Sequence, residues 1–210
     1  MMRDAAVRRI NDTIGFRPTG HSLEGTIVLR LQEAQRDLER GKSLPRFLLV
    51  EDFVLSLLQG THTVALPPGF IRENDETRIR VVPVDTLKPR FLVRRYYIDA
   101  IDANVDVAPQ VPATPSVYVM RKSSIDFVVN ADQDYDLLFD YYKGADLLTT
   151  NIENAWLLNA AEWLIGEAGR RIAMDLRQPD AVTVFDDMRK AGRMASLAEE
   201  IAAELASQPL

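Results

Sequence analysis

The apolar residues near the N-terminus recur every three or four positions, which is the spacing of one face of an α-helix. This pattern covers residues 3–14 and, after a turn, residues 22–41. Ser22 is a favoured N-cap residue and Gly41 a favoured stop signal for the second stretch. The sequence therefore predicts two helices joined as a hairpin. Their apolar positions are Ala6, Val7, Ile10, Ile14, Leu23, Ile27, Leu31, Ala34 and Leu38.

The pattern changes after residue 44, where short runs of β-branched and aromatic residues are separated by glycine and proline. Such runs are typical of short strands. Residues 96–102 are expected to form a helical turn, and the proline-rich stretch 103–115 an exposed, extended connector. The predicted strands are residues 47–50, 53–58, 61–66, 78–84, 91–93, 116–121, 124–129 and 135–142.

Apolar residues again recur every three or four positions in the last third of the chain. Thr150 and Glu153 have the form of a capping box, which predicts a helix from there to about residue 176. Pro179 interrupts the pattern, and residues 180–207 predict one long final helix. The small side chains along this last helix indicate close contact with another helix or another subunit.

The order of these segments predicts an α+β fold in which N- and C-terminal helices form a helical bundle with a β-rich insertion between them. Residues 1–43 and 146–210 are assigned to the helical body, and residues 44–145 to the insertion. The two parts are expected to behave as a single structural unit overall.

Composition narrows the possible functions. The chain has 210 residues and a net charge of −6, and the excess of acidic residues lies in its second half. A negative net charge is the opposite of what a protein that binds nucleic-acid phosphates requires. Cysteine is absent, which excludes disulfides, thiolate nucleophiles and cysteine-ligated metals. No stretch reaches the ~18 uncharged apolar residues of a bilayer-spanning helix, so no membrane partner is expected.

No recognised catalytic or cofactor-binding motif is complete. Gly20, His21 and Ser22 begin like a nucleophile elbow, but Glu24 stands where the second glycine is required. Ser22 is more simply a helix cap. Neither His21 nor His62 has a nearby carboxylate or serine that local structure would make into a catalytic pair. We therefore expect no catalytic residue and no cofactor.

Three alternating aspartates resemble the opening of a calcium-binding loop. They are Asp132, Asp134 and Asp136. However, Leu137 replaces the glycine of the sharp turn, and Lys143 falls where the bidentate glutamate would close the site. No metal site is expected, and the simpler interpretation is that these aspartates solubilise a strand edge, with a weak metal contact left as the alternative.

Three segments resemble the head-to-tail connector, or adaptor, proteins of short-tailed bacteriophages. The first is the two-helix start, Met1 to Gly41. The second is Gln59 to Ile71, a hairpin followed by Leu-Pro and a phenylalanine-containing turn. The third is Tyr135 to Met174, a strand rich in aspartate and tyrosine that leads into a helical segment through two tryptophans. The resemblance lies in the order and spacing of these features.

This resemblance implies a structural virion protein without enzymatic activity, assembled in the host cytoplasm. Family members form rings, expected here to be dodecameric, beneath the portal, and DNA passes through the lumen without sequence-specific binding. The implied partners are further copies of the chain, the portal, and tail or nozzle proteins, the last contacting residues 44–142. The candidate portal-binding residues are Met188, Arg189, Arg193, Met194, Leu197, Ile201, Leu205 and Leu210.

The last residues of the chain, 202–210, are expected to be mobile in the free protein and ordered in the assembly. Two other functions stay open from the sequence. One is a cell-wall-degrading hydrolase of the virion that uses paired carboxylates, one of them near residues 132–136. The other is a non-viral interaction domain whose helical hairpin receives a partner helix.

Overall fold

The computed structural model describes residues 1–15, 23–74, 77–82, 89–95 and 112–207, without the side chains of residues 199–200 and 203–207. The chain divides into two compact units. Residues 1–48 and 144–210 form the first, which we call the helical unit, and residues 49–143 form the second, the β unit.

The helical unit contains five α-helices among its described residues. The N-terminal prediction is confirmed for the first helix, which ends where Gly15 adopts a left-handed φ of 64°. The second helix begins after Leu23, and its predicted cap, Ser22, lies outside the described residues. The helices are α1 (Arg3–Ile14), α2 (Glu24–Glu39), α3 (Ala155–Asn159), α4 (Ala161–Asp175) and α5 (Pro179–Ser207), with a 3-10 turn at Arg46–Leu48.

The predicted capping box at Thr150 and Glu153 is wrong. Helix α3 begins later, after Asn154, whose side-chain oxygen accepts a hydrogen bond from the Leu157 N–H at 2.9 Å. Asn154 is fixed as the cap because its amide also donates to Gln35 and to the Asp146 carbonyl. The continuous helix expected up to residue 176 is also interrupted at Ala160, where φ is −141°.

The prediction that the terminal helices form a helical bundle is wrong, although the mixed α+β content is present. Extensive helix packing joins only α4 and α5, while α2 lies on α4 and α1 makes limited contacts with both α2 and α4. The reason is that other segments of the chain cover part of the helix surface that a bundle would bury. Gln35, on α2, binds the carbonyls of Ala145 and Asp146, which belong to the segment that returns from the β unit.

The β unit consists of two sheets whose inner faces pack together. Most strand predictions are confirmed, but β3 was not predicted. The first sheet has the order β1-β9-β4-β5 with β3 also paired to β9, and the second has the order β2-β8-β7-β6. The strands are β1 (Leu49–Leu57), β2 (Thr63–Ala65), β3 (Phe70–Glu73), β4 (Ile79–Val82), β5 (Arg90–Phe91), β6 (Val93–Arg94), β7 (Val117–Met120), β8 (Ser124–Phe127) and β9 (Tyr135–Lys143).

Strand β1 joins two runs that the sequence predicted as separate. Its pairing with β9 is irregular between Val50 and Phe53, where Asp52 has a left-handed φ of 53°. The Asp140 carboxylate stabilises this bulge by accepting the Asp52 N–H at 2.7 Å. The strand therefore bends without ending.

The core of the β unit lies between the two sheets. It contains Leu55, Leu137 and Phe139 from the first sheet and Ile125 and Phe127 from the second. The predicted helical turn at residues 96–102 lies outside the described residues, as does most of the proline-rich connector. At the end of that connector Pro115 is buried rather than exposed.

Candidate assembly surface

Helix α5 packs on α4 through glycines that allow the two backbones to approach closely. A Cβ atom at Gly166 would lie 2.5 Å from the Arg189 backbone nitrogen, and one at Gly192 would overlap the backbone of Trp163. Phe185 fills the space over Gly169 and is fully buried. On the last helix the close contact is made by Gly192, whereas the alanines expected to pack, Ala191, Ala195, Ala198 and Ala202, are exposed.

The buried face of α5 ends before the helix does. Ala181, Phe185 and Ser196 are buried, whereas Ala198, Ile201 and Ala202 are exposed. Gly192 already lies against Trp163, near the start of α4. Residues 197–207, roughly 16 Å of helix at 1.5 Å per residue, therefore extend past the helix on which α5 packs. We call this segment the overhang.

Exposed apolar side chains lie just before the overhang and within it. Met194 is 66% exposed and Ile201 57% exposed, and both lie on α5. Single exposed apolar residues are common on protein surfaces, but here both lie on the end of α5 that follows its contact with α4. A helix of this kind is suited to binding in a groove of another protein.

An open groove of about 300 Å³ lies at the base of the overhang. Its walls come from the end of α2, the loop after it, Trp163 on α4 and the side of α5. Two of the predicted portal-binding residues, Arg193 and Leu197, line this groove, together with Ser196.

A charged pair joins the first half of α5 to α4, since Asp186 lies 3.5 Å from Arg170 on α4. Asp186 accepts hydrogen bonds from Arg189 at 2.8 Å and pairs with Lys190 at 3.0 Å. The hydrogen bond from Lys190 lowers the pKa of Asp186 below its ordinary value. On α4, Arg171 binds both Glu167 and Asp37, each at 2.8 Å, and so ties α4 to α2.

The predicted portal-binding residues therefore lie in different environments. Met188 and Arg189 are half-buried, and Arg189 is paired with Asp186 in its own helix. Arg193, Met194 and Ile201 are exposed, and Leu197 is half-buried in the groove. Leu205 lies in the helix with its side chain undescribed, and Leu210 lies outside the described residues.

The aspartates near residue 134 act as turn acceptors. Asp134 accepts the Gln59 N–H at 2.7 Å, and Asp132 accepts the Tyr135 hydroxyl at 2.6 Å. Across the described residues, no group of three or more potential metal ligands comes together. His62 pairs with Asn130 at 3.1 Å, while His21 lies outside the described part of the chain.

Two buried carboxylates in the β unit are held by arginines. Arg80 pairs with Asp140 at 2.7 Å, and Arg94 pairs with Glu73 at 3.1 Å. Glu73 also accepts a hydrogen bond from the Tyr118 hydroxyl. Burial, with help from this hydrogen bond, raises the pKa of Tyr118 well above its ordinary value. These pairs connect strands and sheets, since Glu73 lies in the first sheet and Tyr118 in the second.

Sequence reasoning missed a buried polar network in the helical unit. Gln35 is fully buried, and its oxygen accepts from Asn154 at 3.0 Å. Glu39 accepts from the Trp156 indole at 3.0 Å and from the Ala145 N–H at 3.1 Å. This network fastens residues 145–157 to α2. Its only sequence signal is a glutamine on the apolar side of α2, next to Ala34.

The helical unit thus has a close helix pair, and its last helix extends past that contact with Ile201 and Ala202 exposed. The chain matches the family model described as SU10 adaptor protein over residues 2–209, and it belongs to that family of phage adaptor proteins. The resemblance to phage head-to-tail adaptors is thereby confirmed. No curated protein matches the sequence.

The family assignment establishes the general role of the chain. The chain is a phage adaptor, a virion component of a structural rather than enzymatic family, and adaptors contact other capsid or tail proteins. No helix in the described ranges has both the length and the apolar character needed to cross a bilayer.

Proposed function

We propose that this adaptor forms a ring beneath the portal of the phage head, and that the overhang of α5 docks on the portal. The observation that carries this proposal is the extension of α5 past its packing partner with Met194 and Ile201 exposed. In the family to which the chain belongs, exposed apolar residues near the end of a helix are best explained as the part that another virion protein covers.

The chemistry of the overhang supports a helix-in-groove contact. Met194 and Ile201 are seven residues apart, so they lie on the same side of α5. Burying a large apolar side chain stabilises a contact by about 1.5–3 kcal/mol. Arg193 adds a cation beside these residues, which would favour an acidic rim on the portal.

The ring, which we expect to be dodecameric, would enclose a conduit for DNA. A net charge of −6 supports this role, because a wall poor in clustered cations releases few counterions and does not hold the phosphates. The β unit is the proposed contact for tail or nozzle proteins. Assembly would take place in the host cytoplasm, on completed heads.

The test compares the unaltered protein with two variants of α5 and uses a portal ring of the phage that carries this chain. Met194→Ser/Ile201→Ser removes the exposed apolar residues of the docking end. Val184→Ser is the matched control, because Val184 is 49% exposed on the first half of the same helix. Binding is measured by co-sedimentation, and capping of the portal is counted by electron microscopy.

The double variant should bind the portal at least ten-fold more weakly, since two buried side chains are lost. Val184→Ser should bind like the unaltered protein and cap each portal with one ring. Equal portal binding by all three proteins would contradict the docking assignment. Failure of the unaltered protein to bind any portal would contradict the proposed function itself.

A further inference from the structure

Residues 90–94 form one end of both sheets in the described part of the β unit. β5 is the end strand of the first sheet and β6 the end strand of the second, with Leu92 between them. Leu92 points into the core and is 2% exposed. Its neighbours Phe91 and Val93 are 64% and 49% exposed. We call this the basic edge.

Arginines surround the exposed apolar pair on the basic edge. Arg90 and Arg95 are exposed, and Arg94 is held by Glu73 at 3.1 Å. An exposed strand end with a phenylalanine is an aggregation hazard unless something covers it. The cover that fits this chemistry is apolar at its centre and acidic around it.

The opposite end of both sheets has that chemistry. There β1 and β2 are the end strands, and Val54 and Leu58 are 52% and 59% exposed. Cross-strand pairing places Val54 opposite Leu138, Leu138 opposite Arg80, and Arg80 opposite Phe91 on the outer face of the first sheet. The exposed acidic residues at or near this end are Glu51, Asp52, Asp132, Asp134 and Asp136.

Hydrogen bonds fix the acidic end in place. Asp134 accepts the Gln59 N–H at 2.7 Å, and Asp52 pairs with Arg80 at 2.9 Å. These carboxylates therefore present a preorganised negative field and need little ordering upon binding. We call this end, with Val54 and Leu58, the acidic edge.

We infer that the basic edge of one subunit docks on the acidic edge of the next copy of this chain. The two edges carry opposite charge around exposed apolar pairs and lie at opposite ends of the same two sheets. A cyclic ring uses two different patches on every subunit, each complementary to the other. The inference rests on the proposed function, because it names the contact through which the ring closes.

Charge complementarity selects a second copy over a tail protein as the occupant. Each edge already has its complement on the same chain, so every subunit supplies both halves of the contact. Steering by opposite charges also fixes which edges meet and prevents two basic edges from pairing. Contact between like edges, as in a two-fold dimer, would place like charges together.

The first test uses the absence of cysteine in the chain. The variant Val54→Cys/Phe91→Cys carries one thiol on each edge, and the two single variants are its controls. The proteins are treated with a short bis-maleimide after assembly on portal rings. The double variant should give a ladder of covalent oligomers beyond the dimer, and the single variants should give none.

The second test exchanges the charges. Arg90→Glu/Arg95→Glu makes both edges acidic, and Glu51→Lys/Asp136→Lys makes the acidic edge more basic. Each variant alone should assemble at least ten-fold less readily than the unaltered protein at low salt. Mixed in equal amounts they should recover rings, since the altered edges again face opposite charges. A fold defect would not be rescued by mixing.

The outcomes separate the two proposals. Rings on the portal without a ladder, or charge variants that assemble like the unaltered protein, would overturn this inference and leave the proposed function intact. Charge variants that assemble normally but lose tail proteins would assign the edges to the tail and also overturn it. Unaltered protein that binds no portal and forms no ring would overturn both.

Discussion

Tyr118 and Glu73 form a buried contact between the two sheets of the β unit. The hydroxyl donates to the carboxylate, which Arg94 also binds at 3.1 Å. Removing the donor with Tyr118→Phe should destabilise the protein by about 1–3 kcal/mol, because a buried charged acceptor loses a hydrogen bond. Urea unfolding followed by circular dichroism measures the change.

The control for this substitution is Tyr141→Phe, which keeps a ring of the same core cluster. The Tyr141 hydroxyl makes no hydrogen bond to the described residues, so its loss should change the free energy of unfolding by less than about 0.5 kcal/mol. Equal destabilisation by the two variants would show that the Tyr118–Glu73 hydrogen bond does not contribute.

From the raised pKa of Tyr118 we predict how the stability of the protein changes at alkaline pH. Below its ordinary value of 10.0, the tyrosine is neutral in both the folded and the unfolded state, and its full contribution to stability is present. Above that value the unfolded state releases the proton while the folded state keeps it, so stability falls as pH rises. Thermal unfolding between pH 9 and about pH 11.5 should show a shallower loss for Tyr118→Phe. A parallel decline would contradict this assignment.

Asn154 joins a helix cap to the buried network on α2. Asn154→Ala removes the cap of α3 and leaves the oxygen of buried Gln35 without its donor, and should cost about 2 kcal/mol. Asn159→Ala is the control, since Asn159 is exposed and bonds only within its own helix. Chemical unfolding should separate the two variants, and a loss of stability as large for Asn159→Ala would count against the network.

Single residues also explain the parts of the fold that the sequence did not predict. Strand β3 was missed because its most buried residue is the acidic Glu73. An apolar residue at this position would have shown the alternation of buried and exposed residues that is typical of a strand. The cap of α3 was misplaced because Thr150 and Glu153 match the capping pattern, whereas the partners that select Asn154 come from α2. Such long-range contacts leave no local trace in the sequence.

At the scale of elements, α4 and α5 depend on glycines at their contact. Gly192→Ala would place a methyl group into the backbone of Trp163, and the helices would have to separate, at a cost of about 1–3 kcal/mol. Gly25→Ala in α2 meets open space and should stabilise the protein by about 0.4–1 kcal/mol. Opposite shifts in the melting temperature are expected. A stabilising Gly192→Ala would contradict the close packing.

Helices were predictable because their spacing is local. The boundaries of α1 follow from its apolar stripe and Gly15, and the start of α5 from Pro179. The packing partners of these helices were not predictable. Because α1, α2 and the last helices are all amphipathic, a helical bundle would have buried their apolar faces equally well. The segment 145–157 competes for α2 through polar contacts that hydrophobic periodicity does not record.

At the scale of the whole molecule, removal of residues 203–210 tests portal docking directly. This segment follows exposed Ile201 and Ala202 and includes the last turn of α5. The deletion should abolish portal binding and leave the far-ultraviolet circular dichroism almost unchanged, apart from the loss of a short helical end. Retained portal binding would contradict the assignment of the C-terminal segment.

The candidate site was predictable only in part. Met194 and Ile201 were named among the portal-binding candidates that the family resemblance implied, and both are exposed. The overhang itself was not, because where α4 begins relative to α5 depends on the break at Ala160. The opposite charge of the two edges of the β unit could be recognised only from the strand order. This order places Phe91 and Val54 at opposite ends of one sheet.

The helical unit is discontinuous along the chain, since α1 and α2 precede the β unit and α4 follows it. During synthesis, α1 and α2 leave the ribosome long before α4 exists, and β1 waits for β9, the strand with which it pairs from Leu49↔Tyr142 to Leu57↔Tyr135. Contacts between distant segments form slowly, because closing a long loop costs entropy before any contact repays it. Nascent chains must therefore keep apolar surfaces uncovered until translation is almost complete. Slowing translation after residue 143 should increase the demand for chaperones in the infected cell.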